Sequence, residues 1–239
     1  MTSWRTSLAV VFTSVSCTLA SSTLPAQQPD VAAVIRGIDA SVQARIDHIA
    51  SYTVTEHYAV FRNNDEVHPA AEMTVKTVYS KNRGKEYTKL TESGSALLRS
   101  QLLGTVLDNE KHMSLPGNRE GVLVNSDNYE MKLKSSEAQM VDGRECMVLT
   151  LTPKRTSPSL FNGTLWVDAK DYSIVQLEGM ASKSHSFLSG PAQVSRQYTN
   201  VSGFPMATHA KAISKSSLLG ETVVKIDYSD YQIQIQPQL

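Results

Sequence analysis

The chain has 239 residues, with 23 Lys and Arg against 23 Asp and Glu, and two cysteines. An even charge balance excludes a general electrostatic grip on nucleic acid, which needs clustered Lys and Arg. One cysteine lies in the leader described next, so an intrachain disulfide in the remainder is excluded as well.

Residues 1–26 carry one charge, Arg5, ahead of an apolar stretch from Leu8 to Ala20, and end in TLPA before QQPD. This is the pattern of a secretory signal peptide cleaved after Ala26, too short for a membrane span. Its removal takes one Arg and leaves 22 basic and 23 acidic residues in 213. The product is expected to be periplasmic or otherwise exported. Cys17 offers an alternative, lipid attachment and an outer-membrane location, but Ser14 stands where a lipobox carries Leu. No linker, charge block or repeat divides residues 27–239, which read as a single domain.

An amphipathic helix is predicted from about Asp30 to Ala50. Val31, Val34, Ile35, Ile38, Val42, Ile46 and Ile49 recur at three- and four-residue steps, with Asp30 as N-cap. Alternation then takes over. YTVTEHYAVFR, AEMTVKTVYS and GKEYTKLTE read as successive strands, the last two joined near Asn82–Gly84. A second helix is predicted at about Ser95–Leu107, its apolar side made by Leu97, Leu98, Leu102 and Val106, with Leu103 at the margin.

From Asn128 the pattern is strand. NYEMKLK, EAQMV and ECMVLTLTP follow, with Asp142–Gly143 as a turn. Then come the hairpin FNGTLWVDAKDYSIVQLEG, PAQVSRQYTNV, a Ser202–Gly203 turn, FPMATHAKAISKS and ETVVKIDYSDYQIQIQPQL. Tight turns imply antiparallel neighbours, and one sheet of 10–11 such strands must curl. The predicted fold is α+β and mainly β, a strongly curved antiparallel half-barrel with the two helices over its concave face.

The order of elements, together with LTLTPKR, F-x-G-x-L-W-V-D and I-V-x-L-E-G, resembles the periplasmic lipoprotein carriers of the LolA type and their LolB and LppX relatives. The resemblance covers most of the mature chain as topology and is sharpest from about Val148 to Gly179. It implies an unclosed half-barrel, helices as lid, and a hydrophobic cavity for acyl chains. It also implies an arginine near the first strands that holds the lid, to which Arg62 and Arg83 both answer. The long second half, from NYEMKL to the QIQIQ tail, departs from the carriers.

Catalytic and metal patterns are absent: there is no G-x-S-x-G, H-E-x-x-H or C-x-x-C. His185 with Ser184 or Ser186 reads as a loop, and Cys146 as a small buried residue. Glu56 and His57 are neighbours on a strand and point to opposite faces. No cofactor is expected.

Trp166 depends on turn length. A two-residue Lys170–Asp171 turn pairs it with Val175, whereas a longer loop puts Leu165 there. Asp168 reads as orienting the DAKDY turn. The candidate lining residues are Leu97, Leu98, Leu102, Phe161, Leu165, Trp166, Val175, Leu177 and Phe187.

The function expected is a monomeric, non-enzymatic carrier of lipid or lipoprotein acyl chains, served by a membrane-bound donor or acceptor protein. An envelope-stress sensor or protein-interaction module on the same fold is the alternative, and a hydrolase the third reading.

Overall fold

The computed structural model describes residues 30–184, 191–216 and 220–236. The leader with Cys17, and Phe187, His185 and Ser186, lie outside them. Helix α1 (Val31–His48) starts where Asp30 Oδ1 accepts from the Ala32 amide at 3.0 Å, satisfying one of the donors a helix start leaves open. Val34, Ile38 and Val42 are its buried stripe.

The chain runs from α1 directly into β1 (Ile49–Arg62), then β2 (Ala71–Ser80) and β3 (Gly84–Gly94). The second helical segment follows as three pieces, α2 (Ala96–Leu98), a π-helical turn (Arg99–Leu103) and α3 (Gly104–Ser114), with a short 3₁₀ turn at Arg119–Val122 beyond it. The remaining strands are β4 (Tyr129–Leu133), β5 (Gln139–Val141), β6 (Arg144–Pro153), β7 (Phe161–Asp168), β8 (Ile174–Ala181), β9 (Gln193–Val201), β10 (Phe204–Ser216) and β11 (Gly220–Ile235). The Asp142–Gly143 and Ser202–Gly203 turns have positive φ at both residues, as tight two-residue hairpins require.

Among the described residues all eleven strands belong to one antiparallel sheet in the order β3-β2-β1-β11-β10-β9-β8-β7-β6-β4, with β5 added on β6. The sheet does not close: β3 and β4 are its ends. Seven strand steps separate β3 from β7, about 34 Å if flat at ~4.8 Å per step. Yet Lys85 on β3 and Phe161 on β7 line the same cavity. The sheet is therefore bent into the open half-barrel expected from the strand pattern. Register breaks in the long β1–β11 pair, beside Asp230 at φ 57°, supply part of the bend.

Each end of the concave face has its own core and its own helix. Helix α1 packs Val34, Ile38 and Val42 onto Tyr129, Met131, Leu149, Leu151, Leu165, Val167 and Leu177, all on β4 to β8. Residues 96–114 cover the other end, where Leu103 meets Tyr58, Val60, Met73, Val75, Val224 and Ile226. The predicted second helix thus exists but is longer and turned. The π turn adds a residue to the helical repeat and rotates the face, so Leu103 is fully buried while Leu97 is 69% exposed.

The DAKDY turn shows why the sequence leaves the Trp166 register ambiguous. Next to the turn, Val167 pairs with Ile174, the register of a two-residue turn; a bulge then takes up Val175 and sets Trp166 opposite Gln176 and Leu165 opposite Leu177. Leu165 and Val167 face the concave side. Trp166 faces outward, its Nε1 donating to Gln139 Oε1 at 2.9 Å. Asp168 holds the turn, accepting from the Lys170 amide at 2.7 Å and from Arg144 Nε at 2.7 Å. Burial works against its charge, but these donors keep its carboxyl below the ordinary value.

Candidate functional site

The two helix-capped cores do not meet. Between them lies a cavity of about 580 Å³. Its floor is β8 to β11, and its origin is visible in β10. There the inward positions carry alanines: Ala207, Ala210 and Ala212 all line the space. Small side chains on a curved sheet leave volume that larger ones would fill. One wall is the C-terminal half of α1 with Val42, Arg45 and Ile46. The other is the face of residues 96–114 that carries Leu102, Val106, Glu110 and Met113. A smaller recess of about 260 Å³ shares Ser195, Arg196, Ala210 and Lys211 with it.

Of the candidate lining residues, the structure brings Leu102, Phe161 and Leu177 to the cavity. Leu98 packs at the margin of the core under residues 96–114. Leu165 is fully buried in the α1 core and Val175 is buried at the bulge, so neither reaches the space. Leu97 is exposed and Trp166 lies on the opposite face, for the reasons given above.

The cavity also holds a set of charges that the strand pattern does not reveal as a group. Lys85 Nζ lies 2.5 Å from Glu110 Oε2 and 3.5 Å from Glu56 Oε1, and Glu56 is completely buried. The Tyr58 hydroxyl donates to Glu56, and the Tyr87 hydroxyl to Glu110 at 3.4 Å. Burial opposes the Lys85 charge, but Glu110 and Glu56 hold its ammonium well above the ordinary value. Burial likewise opposes the Glu110 carboxylate, and Lys85 and Arg196 together hold it below the ordinary value. Burial, reinforced by Glu110 and Glu56, drives the Tyr58 hydroxyl far above its usual range. Lys85 therefore stays charged, Glu110 ionised and Tyr58 neutral at neutral pH.

This cluster is also a latch. Glu110 belongs to α3 and Lys85 to β3. The Lys85 amide adds a hydrogen bond to Ser114 Oγ at 2.7 Å, tying the end of α3 to the edge strand. Arg119 closes the next turn onto Tyr79 at 3.2 Å and onto the Lys81 carbonyl at 2.7 Å. From the first strands Lys85, on β3, reaches residues 96–114 through Glu110; Arg62 ends β1 and Arg83 is exposed in the β2–β3 turn. A signal was present in the sequence: Glu56 shares strand parity with Val54 and Tyr58, and Arg196 with Val194 and Tyr198. Charged residues at inward positions mark an interior that is not uniformly apolar.

Among the described residues no group of three His, Cys, Asp or Glu is placed to hold a metal ion. None of the described helices is long and apolar enough to cross a membrane. Cys146 is buried, and burial raises its thiol above the ordinary value, away from nucleophilic reactivity.

No family model and no curated protein matches the chain. Solved structures of similar shape include a LolA superfamily protein from Nitrosomonas europaea, with 16% identity over 86% of this chain and 94% of that one, at a TM-score of 0.41. A DUF1329 family protein from Desulfovibrio piger shares 14% identity over 86% of this chain and 95% of that one, at 0.43. An outer membrane lipoprotein-sorting protein domain from Vibrio parahaemolyticus shares 12% identity over 82% of this chain and 91% of that one, at 0.45. Likenesses of this size say nothing of what the present chain binds.

Proposed function

We propose that the protein is an exported, non-enzymatic carrier that takes lipid or lipoprotein acyl chains between its two helical covers. The observation that carries the reading is the cavity of about 580 Å³ enclosed by a curved sheet, with Leu102, Val106, Met113, Phe161 and Leu177 around an alanine floor. Protein interiors are otherwise close-packed, and this volume falls within the roughly 300–1,000 Å³ of small-molecule sites. Each methylene moved from water into such a space contributes about 0.8 kcal/mol, against the cost of ordering chain and protein.

The lid of residues 96–114 is the cover suited to move. Leu103 is its one fully buried residue; Leu98, Leu102, Val106 and Leu107 lie half-buried on the same core, and Lys85, Glu110 and Ser114 add polar ties. Export follows from the leader read in residues 1–26, and a membrane-bound donor or acceptor would hand the chain over. The domain works as a single unit over residues 27–239 and as a monomer.

Native mass spectrometry of protein purified from its source, combined with uptake of a fluorescent fatty acid, tests the reading. Expected are a co-purifying lipid and one-to-one uptake, with uptake reduced at least about tenfold in Ala212→Trp, whose indole fills the floor. No lipid and no uptake would overturn it.

A further inference from the structure

The cavity is not electrically neutral: Arg45, Lys85, Arg119, Arg196 and Lys211 line it against two acids. Both acids that line it, Glu56 and Glu110, are engaged by Lys85 and by the hydroxyls of Tyr58 and Tyr87. Arg196 stands apart. It projects from β9 onto the concave face between Leu177 and Ala210, its register partners on either side. Among the described residues no carboxylate lies within 4.0 Å of its guanidinium, and the neighbouring polar group on its face of β9 is the Tyr198 hydroxyl. Five N–H donors in a planar fork, with one phenol to meet them, leave a face of the guanidinium open to the cavity. Glu110 further supports its charge against burial. Arg45 on the α1 wall is a second basic lining residue with no carboxylate that close.

An apolar guest alone gains nothing from such a group. A guest with an oxyanion at the head of its chain would form bidentate, charge-assisted hydrogen bonds with it inside a water-poor space. We propose that Arg196 is the head-group anchor of the cavity, so that the preferred guest is an anionic single-chain amphiphile, its carboxylate or phosphate on Arg196 and its chain running toward Phe161 and Leu102. This rests on the carrier reading above and narrows it to a ligand class.

Displacement of an uncharged naphthylamine dye by three ligands of equal chain length, dodecanoate, dodecyl phosphate and dodecanol, tests it. The wild-type protein should favour one or both anions over dodecanol by about tenfold or more. Arg196→Gln should bring the anions down to the level of dodecanol and leave dodecanol itself unchanged, and Arg196→Lys should restore part of the preference. Which anion wins identifies the head group. Equal competition by all three on the wild-type protein overturns the anchor while leaving the carrier intact. So does an undiminished anion preference in Arg196→Gln. Failure of every ligand, dye included, to bind removes the carrier reading and the anchor together.

Discussion

The two ends of the half-barrel are closed by helices in different ways. At the β4–β8 end, α1 lies on a dry core by shape and apolar contact. Gly37 permits the close approach, since a Cβ there would come within 2.4 Å of the Tyr172 ring, and Asp39 ties α1 to the Ser126 amide and hydroxyl at 2.7 and 2.6 Å. At the β1–β3 end, residues 96–114 bury only Leu103 fully, lay Leu98, Leu102, Val106 and Leu107 half-buried on the same core, and add the polar links of Lys85, Glu110 and Ser114. A cover fastened by apolar packing opens only with loss of the core. One with a single deep apolar contact, half-buried side chains and a few polar links loses less on opening, because water satisfies the polar groups when they part. On the carrier reading proposed above, α1 is the fixed cover and residues 96–114 the movable one.

The largest expected effect comes from removing the central cation of the latch. Lys85→Met leaves the fully buried Glu56 and its neighbour Glu110 without their counter-charge, which should cost about 3–5 kcal/mol. Hydrogen exchange should rise in residues 84–114 well before it rises in α1. A uniform rise over both ends would mean that the two covers are not independent.

Next in size is the fixed cover. Leu149→Ala, under α1, should cost about 2–5 kcal/mol in denaturant unfolding through its cavity. Ligand uptake well below the midpoint should be unchanged, since Leu149 does not reach the site. Lost uptake in a folded variant would show that this core is part of the site.

Glu110→Gln should cost about 1.5–3 kcal/mol at neutral pH by removing a charge-assisted link. The carboxyl of Glu110 is held below its ordinary 4.5, so its contribution is complete above that value and lost as pH falls through the depressed folded value. The gap in melting temperature between wild type and variant should therefore stay constant from about pH 6 to about pH 9, where an unfolded-chain glutamate is already ionised, and close in acid. A gap that persists in acid would assign the effect to packing. The smallest effect expected is that of Gly37→Ala, about 1–3 kcal/mol from the clash with Tyr172 and partly offset by better helix propensity.

Much of this arrangement was legible in the chain, for a physical reason. The α1 stripe and the strand alternations follow strict periods, and Asp142–Gly143 and Ser202–Gly203 are residues that tolerate the left-handed backbone. What escaped had no local period. The π turn changed the face of the second helix, exchanging Leu97 for Leu103. The bulge at Val175 sent Trp166 outward. The Lys85–Glu56–Glu110 cluster joins residues 25 to 54 positions apart, which only the folded sheet brings together. The alanines of FPMATHAKAIS, which make the floor, carry no signal until the sheet is seen to curve.

The most direct measurement is photo-crosslinking with a fatty acid that bears a diazirine near the chain end, followed by peptide mapping. Adducts should fall on Leu102, Met113, Phe161 and Leu177, on both sides of the gap between the two covers. Adducts confined to the exposed Leu97 and Met140, or to the outer face around Trp166, would contradict an acyl chain held inside the half-barrel.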